Sequence, residues 1–216
     1  MSIVAVVARD VDNTVATAEH GEEWAKVWSA AAKTEIANSQ SHPRVAPWRS
    51  AFKRLGVSGK KFPSSIEAIL RRALKGGAAF SINPLVDFYN TVSLANVVPA
   101  GGYDIGGIEE LELRLTRDGD VFQALDDEES IPVPAGEVAY VVGSTVLTRH
   151  FVWRQSRQAL IGEASRNVLL LSEVLGDLPA AVVDNVEKML LDGLREIFGV
   201  VGRPVRLSEN RLEAEW

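Results

Sequence analysis

The sequence predicts an α+β fold, and three observations predict it. Up to about residue 100 most apolar residues recur at helical spacing, after Asp104 the period switches to two, and from residue 179 helical spacing returns. No Pro/Gly-rich linker, low-complexity segment or internal repeat divides the 216 residues. Residues 1–216 therefore read as a single compact domain, with a mainly helical, basic part at 1–80, a core at 81–200 and a C-terminal tail at 201–216.

Composition bounds the class. At 46% hydrophobic and 24% charged, the chain has the make-up of a globular protein with a sizeable core. No apolar run approaches the roughly eighteen residues needed to span a bilayer. No basic region precedes residues 3–8, so neither a membrane span nor a secretory signal is expected. The absence of cysteine excludes disulfides, thiol catalysis and cysteine–zinc sites. The expected location is cytoplasmic, and the sequence calls for no cofactor and no metal.

The net charge of −6 is unevenly spread. Residues 44–75 hold nine basic side chains and one acid, Glu67, which leaves 14 basic and 28 acidic residues elsewhere. A phosphate-facing patch on an acidic body would show this split. So would a solvated helical surface, and charge alone does not separate the two.

In chain order, residues 3–8 (IVAVVA) predict a buried strand. Residues 22–38 predict a helix, with Trp24, Val27, Trp28 and Ala31 at helical spacing; His20, just before it, shows no ligand spacing. Residues 43–55 predict a second helix with Val45, Trp48, Phe52 and Leu55 on its apolar side and Pro47 in its first turn. Ser64-x-x-Glu67 is a capping-box signature ahead of Ile66, Ile69, Leu70, Ala73 and Leu74, and Gly76-Gly77 stops that helix.

Residues 82–104 (INPLVDFYNTVSLANVVPAGGYD) carry the most information. Asn83 caps and Pro84 opens a helix whose Leu85, Phe88, Tyr89 and Val92 share one face. Asn83, Asp87 and Asn90 fall on the opposite face, and the run continues past Pro99 into Gly101-Gly102 and Tyr103-Asp104. Such a stripe is either one wall of a polar pocket or a solvated face on which Asn83 only caps.

Beyond Asp104, Leu111, Leu113 and Leu115 alternate with Glu112 and Arg114, and Asp118-Gly119 turns the chain into residues 121–124, a predicted hairpin. Residues 126–130 form an acidic loop, read as solvated. Residues 137–142 and 146–153 predict two further strands. Next, Arg149, Trp153, Arg154, Gln155 and Ser156 concentrate two guanidinium groups, an indole and two further polar side chains in eight residues. Arginine can grip a carboxylate or phosphate with paired hydrogen bonds, and tryptophan can form a stacking wall. His150 in this run is either structural or a general base. Residues 167–171 (NVLLL) predict a strand, 179–198 an amphipathic helix ended by Gly199, and 205–207 an edge strand.

Several of these residues carry a family resemblance. Asn83, Val86-Asp87, Asn90, Pro99 and Asp104, followed by Gly136-Glu137 and Asn167-Val168-Leu169-Leu170, resemble in order the editing module of the phenylalanyl-tRNA synthetase β-subunit, which pairs that subunit's third and fourth domains. The resemblance covers roughly residues 42–200 and is nearest to free-standing relatives, which have a similar Ser, Arg-Arg and Gly run at 64–77 and a similar Arg-x-x-x-Trp-Arg-Gln-Ser run at 149–156. It implies a three-layer β-rich sandwich with flanking helices. It also implies hydrolysis of mischarged aminoacyl-tRNA in a pocket between two halves, with the aminoacylated tRNA 3′ end as partner. The family's histidine two residues after the proline is Gly101 here, and its acid in the second loop falls near Arg157, so the family's mechanism does not transfer intact.

With that resemblance, the expected catalytic residues are Asp87, Asn90 and Arg154. Asp87 and Asn90 would hold the α-amino group or a water, and Arg154 with Gln155 and Ser156 the ribose, phosphate or carbonyl. Asn83, Gly101, Gly102, Tyr103, Asp104, Arg149 and Trp153 complete the expected substrate site. Arg49, Lys53, Lys60, Lys61, Arg71 and Arg72 are the expected RNA phosphate contacts. An activated ester needs little beyond a positioned water and oxyanion donors. The alternatives are a module that binds tRNA, other RNA or an amino acid without turnover, and a protein-docking unit with basic helices. No Ser–His–acid arrangement and no nucleotide-binding fingerprint is present.

Overall fold

Seven consecutive residues of β type, SIVAVVA, form strand β1 (Ser2–Ala8), buried along nearly its whole length. The computed structural model describes residues 1–15 and 18–216. β1 lies inside a four-stranded antiparallel sheet of order β10-β1-β9-β2, with β2 at Ala100–Asp104, β9 at Val168–Val174 and β10 at Arg203–Ser208. Because side chains alternate across a strand, this sheet has two distinct faces. Val4, Val6, Val168 and Leu170 pack on one side with helices α4 (Pro84–Asn96) and α5 (Ala180–Phe198), through Leu85, Phe88, Val186 and Leu190. Ala5, Val7, Tyr103, Leu169 and Leu171 face the other way.

That other face meets a second sheet, of order β3-β6-β7-β4-β5, with β8 added to β7. Its strands are β3 (Glu112–Leu115), β4 (Val121–Phe122), β5 (Ile131–Pro132), β6 (Val138–Val142), β7 (Thr145–Arg149) and β8 (Arg154–Gln155). Tyr140 and Leu147 point into the space between the sheets, whereas Phe122, Ala139, Val141 and Val146 build a small core on the outer side. The layers are thus helices, first sheet and second sheet, an α+β architecture. The remaining helices, α1 (Ala18–Ala32), α2 (Ala46–Arg54) and α3 (Ser65–Leu74), close one side of the inter-sheet core with Trp28, Trp48, Phe52 and Leu70.

Local chemistry accounts for the element ends. Asn83 accepts from Val86 N at 3.0 Å as the α4 cap, Pro84 follows in the first turn, and Ser64 caps α3 through Glu67 N. Gly199 ends α5 at a φ of +66°, a conformation glycine adopts without strain. Trp24 and Trp28 donate their indole N–H groups to Phe80 O at 2.6 Å and Gly77 O at 3.0 Å, which ties the loop after α3 to α1.

Three expectations are corrected. The first helix runs over Ala18–Ala32, earlier than the spacing suggested, and includes His20, buried against Phe88 with ring centroids 6.2 Å apart. The hairpin across Asp118-Gly119 does not form: β3 pairs with β6, and β4 with β5 and β7. The turn is present, with Gly119 at a φ of +93°, but Asp120 grips Arg114 at 2.6 and 3.0 Å and Arg117 N at 2.8 Å, and the chain leaves β3 instead of folding back along it. Finally, the strand expected over 146–153 ends at Arg149. His150 and Phe151 take φ values of +45° and +68°, and a turn carries Phe151 and Val152 into the core. Glu137 holds that turn, accepting from Arg149 Nη2 at 2.6 Å and His150 N at 2.7 Å.

Candidate functional site

The two sheets leave a cavity of about 90 Å³ between β2 and the turn after β7. Gly101, Gly102 and Tyr103 line it from β2, Trp153 and Gln155 from the turn and β8, and Ser65 from the start of α3. Leu171 and Glu173 of β9, Tyr140 of β6, Thr148 of β7 and Phe151 of the turn also line it. The two stretches singled out in the sequence, 82–104 and 149–157, therefore share one cavity, through part of their residues.

Strand parity decides which residues enter. On β2, Gly101 and Tyr103 share the inward face, while Gly102 turns to the opposite one. A Cβ on Gly102 would lie 2.6 Å from Ile161 Cδ1, 2.8 Å from Leu170 Cδ2 and 3.2 Å from Leu169 O, whereas a Cβ on Gly101 meets nothing within 4 Å. Replacing Gly102 by Ala is expected to cost roughly 1–3 kcal/mol of stability through overpacking. Gly101→Ala should leave the melting temperature close to that of the parent. Thermal denaturation of the two variants side by side checks this, and equal losses would show that the packing asymmetry is not real.

A β-bulge brings in Thr148. Tyr140 pairs with Thr148 but the next residue, Val141, pairs with Val146, so Leu147 is the extra residue in β7. The Thr148 hydroxyl then lies 2.6 Å from the Tyr103 hydroxyl. Beside this pair, Tyr140 donates to Glu173 Oε1 at 2.6 Å. Glu173 is only 2% exposed, and burial pushes its pKa from 4.5 up to about 7, against the opposing effect of the Tyr140 hydrogen bond. Burial also pushes the Tyr103 and Tyr140 hydroxyls well above their ordinary range, with the Glu173 charge adding to the effect. Both hydroxyls stay protonated at neutral pH. Gln155 Nε2 donates to Gly102 O at 2.9 Å on the outer edge of β2.

Other expected site residues lie elsewhere. Asp87 accepts from the Ser81 hydroxyl at 2.5 Å and Ile82 N at 2.9 Å, so it fixes the entry to α4. Asn90 is half-buried on the same helix and does not line the cavity. The physical reason is that α4 packs on the first sheet's other face. Asn83 donates to Ile161 O at 3.1 Å and accepts from Asn13 at 3.1 Å, tying three distant segments together. Arg149 pairs with Glu137, and Arg154 pairs with Asp126 at 2.5 Å, so both guanidinium groups are engaged away from the cavity. Ser156 is fully buried and donates to Gln123 O at 2.8 Å.

Asp104, with Thr145, Arg157 and Gln158, lines a separate open cleft of about 430 Å³. Its carboxylate is occupied by the Ser165 hydroxyl at 2.6 Å and Gly106 N at 2.8 Å. His150 lies outside the cavity, 4.0 Å between ring centroids from Phe62, with its pKa lowered by burial.

Of the basic residues, Lys53, Lys60, Lys61, Arg71 and Arg72 are exposed. Arg49 instead grips Glu67 with two hydrogen bonds of 2.8 Å. Lys61 lies 5.0 Å from the Phe62 ring centroid, and Phe62 packs edge-on at 4.6 Å against Trp153, a cavity-lining residue. The basic loop before α3 thus reaches the cavity rim. Among the described residues, no group of three or more His, Asp or Glu could hold a metal ion, and no helix is long and apolar enough to cross a membrane.

The sequence reading missed Glu173, Tyr140 and Thr148. A signal for the first was present: residues 168–174 (VLLLSEV) form a run apolar enough for burial on both faces, and an ionisable side chain inside such a run needs a reason. Thr148 had no such signal, because a bulge set by pairing with a distant strand aims it.

No curated protein sequence is similar enough to count as a match. Among solved structures, the chain is similar to an N-terminal fragment of the phenylalanyl-tRNA synthetase β-subunit from Pyrococcus horikoshii. The TM-score is 0.46 at 6% identity, over 96% of this chain and 50% of that one. The profile of the B3/4 domain matches residues 47–186, which hold nearly all of α2, then α3 and α4, the whole second sheet and the whole cavity lining. The chain belongs to the B3/4 domain family.

Proposed function

We propose that this protein is a trans-acting deacylase that hydrolyses the ester of a mischarged aminoacyl-tRNA. The observation that carries the proposal is the cavity itself, in which a buried carboxyl that titrates near neutrality, Glu173, sits beside Tyr140, Tyr103 and Thr148, next to a basic rim. A carboxylate with a pKa of about 7 suits proton abstraction at physiological pH. In this reading Glu173 takes a proton from a water, and the resulting hydroxide adds to the ester carbonyl. Collapse of the tetrahedral intermediate expels the ribose hydroxyl, which recovers a proton. Gly102 N–H projects on the same side of the strand as its carbonyl, toward Gln155, and is the candidate oxyanion donor.

The catalytic assignment expected from the sequence accordingly moves from Asp87, Asn90 and Arg154 to Glu173 and Tyr140, while Gly101, Gly102, Tyr103, Trp153 and Gln155 keep their expected place around the substrate. Lys53, Lys60, Lys61, Arg71 and Arg72 supply the phosphate contacts, and Trp153 with Phe62 offers a surface for the terminal base. The soluble cytoplasm is the compartment where such a substrate is met.

Purified protein incubated with a panel of mischarged tRNAs tests this. At least one ester should be released faster than it hydrolyses spontaneously, with a rate that climbs with pH and levels off above about 7 as Glu173 loses its proton. Glu173→Gln should lower the rate by roughly 10²-fold or more. Release no faster than spontaneous from every member of the panel would reject hydrolysis. The replacement of the family's histidine by Gly101 favours a second reading, a module that binds the aminoacylated end without turnover, which the same panel identifies as retention without release.

A further inference from the structure

We propose that the cavity selects a short side chain ending in a hydroxyl or carboxamide, such as that of serine, threonine or asparagine, and excludes an aromatic ring. This rests on reading the cavity as the site of the aminoacyl group.

Size comes first. A cavity of about 150 Å³ is what admits a benzene ring, and a water occupies about 30 Å³ of liquid. The roughly 90 Å³ present here holds a few non-hydrogen atoms. The walls that limit it are held in place. Phe151 is pinned by its N–H to Val138 O at 2.7 Å and by its ring against Trp48, centroids 5.5 Å apart. Tyr103 and Tyr140 brace each other at 5.9 Å and each makes a hydroxyl hydrogen bond of 2.6 Å. Widening the cavity for a ring would break several of these contacts together. Gly101 adds room only at one side, where a side chain would otherwise project.

Polarity comes second. Hydroxyl and carboxyl oxygens converge on the cavity from four strands: Tyr103 on β2, Thr148 on β7, Glu173 on β9 and its donor Tyr140 on β6. A ligand hydroxyl can donate to one oxygen of the Tyr103–Thr148 pair and accept from the other, which leaves Glu173 for the water, and a carboxamide can do the same with its two ends. An aliphatic side chain of equal size would seal these oxygens from water without replacing the lost hydrogen bonds. A site built around a substrate hydroxyl rejects the analogue that lacks it far more strongly than a greasy pocket rejects an extra methyl group. The structure therefore separates threonine from valine, its near-isostere, as well as from phenylalanine and tyrosine.

The test uses adenosine carrying an aminoacyl group through a non-hydrolysable 3′-amide, as the threonyl, seryl, valyl, phenylalanyl and tyrosyl forms, with binding read by calorimetry on the full chain. The threonyl and seryl amides should bind at least ~10-fold tighter than the valyl and the two aromatic forms. In Tyr103→Phe, which keeps the ring packing, the threonyl-to-valyl ratio should shrink toward one. An aromatic amide that binds as tightly as the threonyl one overturns the proposal, as do equal affinities for threonyl and valyl or no binding by any amide. The ester-release panel separates this from the hydrolysis reading. A preference for threonyl and seryl amides without ester release supports the selectivity and ends the deacylase. Ester release with an aromatic preference does the reverse.

Discussion

Glu173→Gln is expected to make the protein more stable at neutral and alkaline pH while abolishing most of the proposed activity. The folded chain holds the Glu173 proton up to about pH 7, whereas the unfolded chain releases it near 4.5. Below about 4.5 both states are protonated and the group contributes no pH dependence. Between those values the unfolded chain binds fewer protons, so parent stability falls as pH rises, and above about 7 the full loss is present. At about 1.4 kcal/mol per unit, that loss is roughly 3 kcal/mol. Glutamine keeps an acceptor for Tyr140 and has no charge to bury, so the variant escapes the loss. Melting temperatures measured at pH 5 and pH 8 should therefore diverge, with the variant roughly 6–12 °C above the parent at pH 8. A gap of the same size at both pH values would show that the carboxyl titrates normally. A stabilising loss of function is the pattern of a group kept for chemistry rather than for packing.

The second large effect concerns Arg49, which sequence reasoning places among the phosphate contacts. Its guanidinium donates to both oxygens of Glu67, a side chain only 1% exposed, and to Gly59 O at 3.1 Å. Arg49→Ala strands a buried carboxylate between α2 and α3, at an expected cost of about 3–5 kcal/mol. Lys53→Ala, on the exposed side of the same helix, should change stability by less than about 0.5 kcal/mol. Urea midpoints for the two variants decide the matter. Equal midpoints, with equal losses of tRNA affinity, would return Arg49 to the phosphate-binding set.

Much of the fold is legible because it rests on local rules. The Asn83-Pro84 start of α4, the Ser64 cap of α3, the Gly199 end of α5 and the apolar run of β1 each announce themselves within a few residues. The failures involve partners far along the chain. Nothing in 111–124 says that Arg114 and Asp120 will lock together and send β3 to β6, and nothing in 146–153 says that Glu137 will hold a left-handed turn at His150. The site follows the same division. Gly101–Tyr103, Trp153 and Gln155 stand out by composition and do meet at the cavity. The face of a strand that each residue uses depends on a bulge and on sheet stacking, so Arg149 and Arg154 look available in sequence but are engaged elsewhere, and Asp87 is engaged at the start of α4, on the far side of the first sheet.

The order of the first sheet also governs how the molecule can be assembled. β1 is flanked by β10 and β9, strands that emerge more than 150 residues later, while β2 joins only at the outer side of β9. During synthesis β1 must wait, unpaired, until residues 168–174 and 203–208 have left the ribosome. The loop-closure entropy of that pairing falls due before any reward from the sheet. The floor of the cavity belongs to this late event, since Glu173 arrives on β9, so a nascent chain can close the cavity only after that strand has emerged.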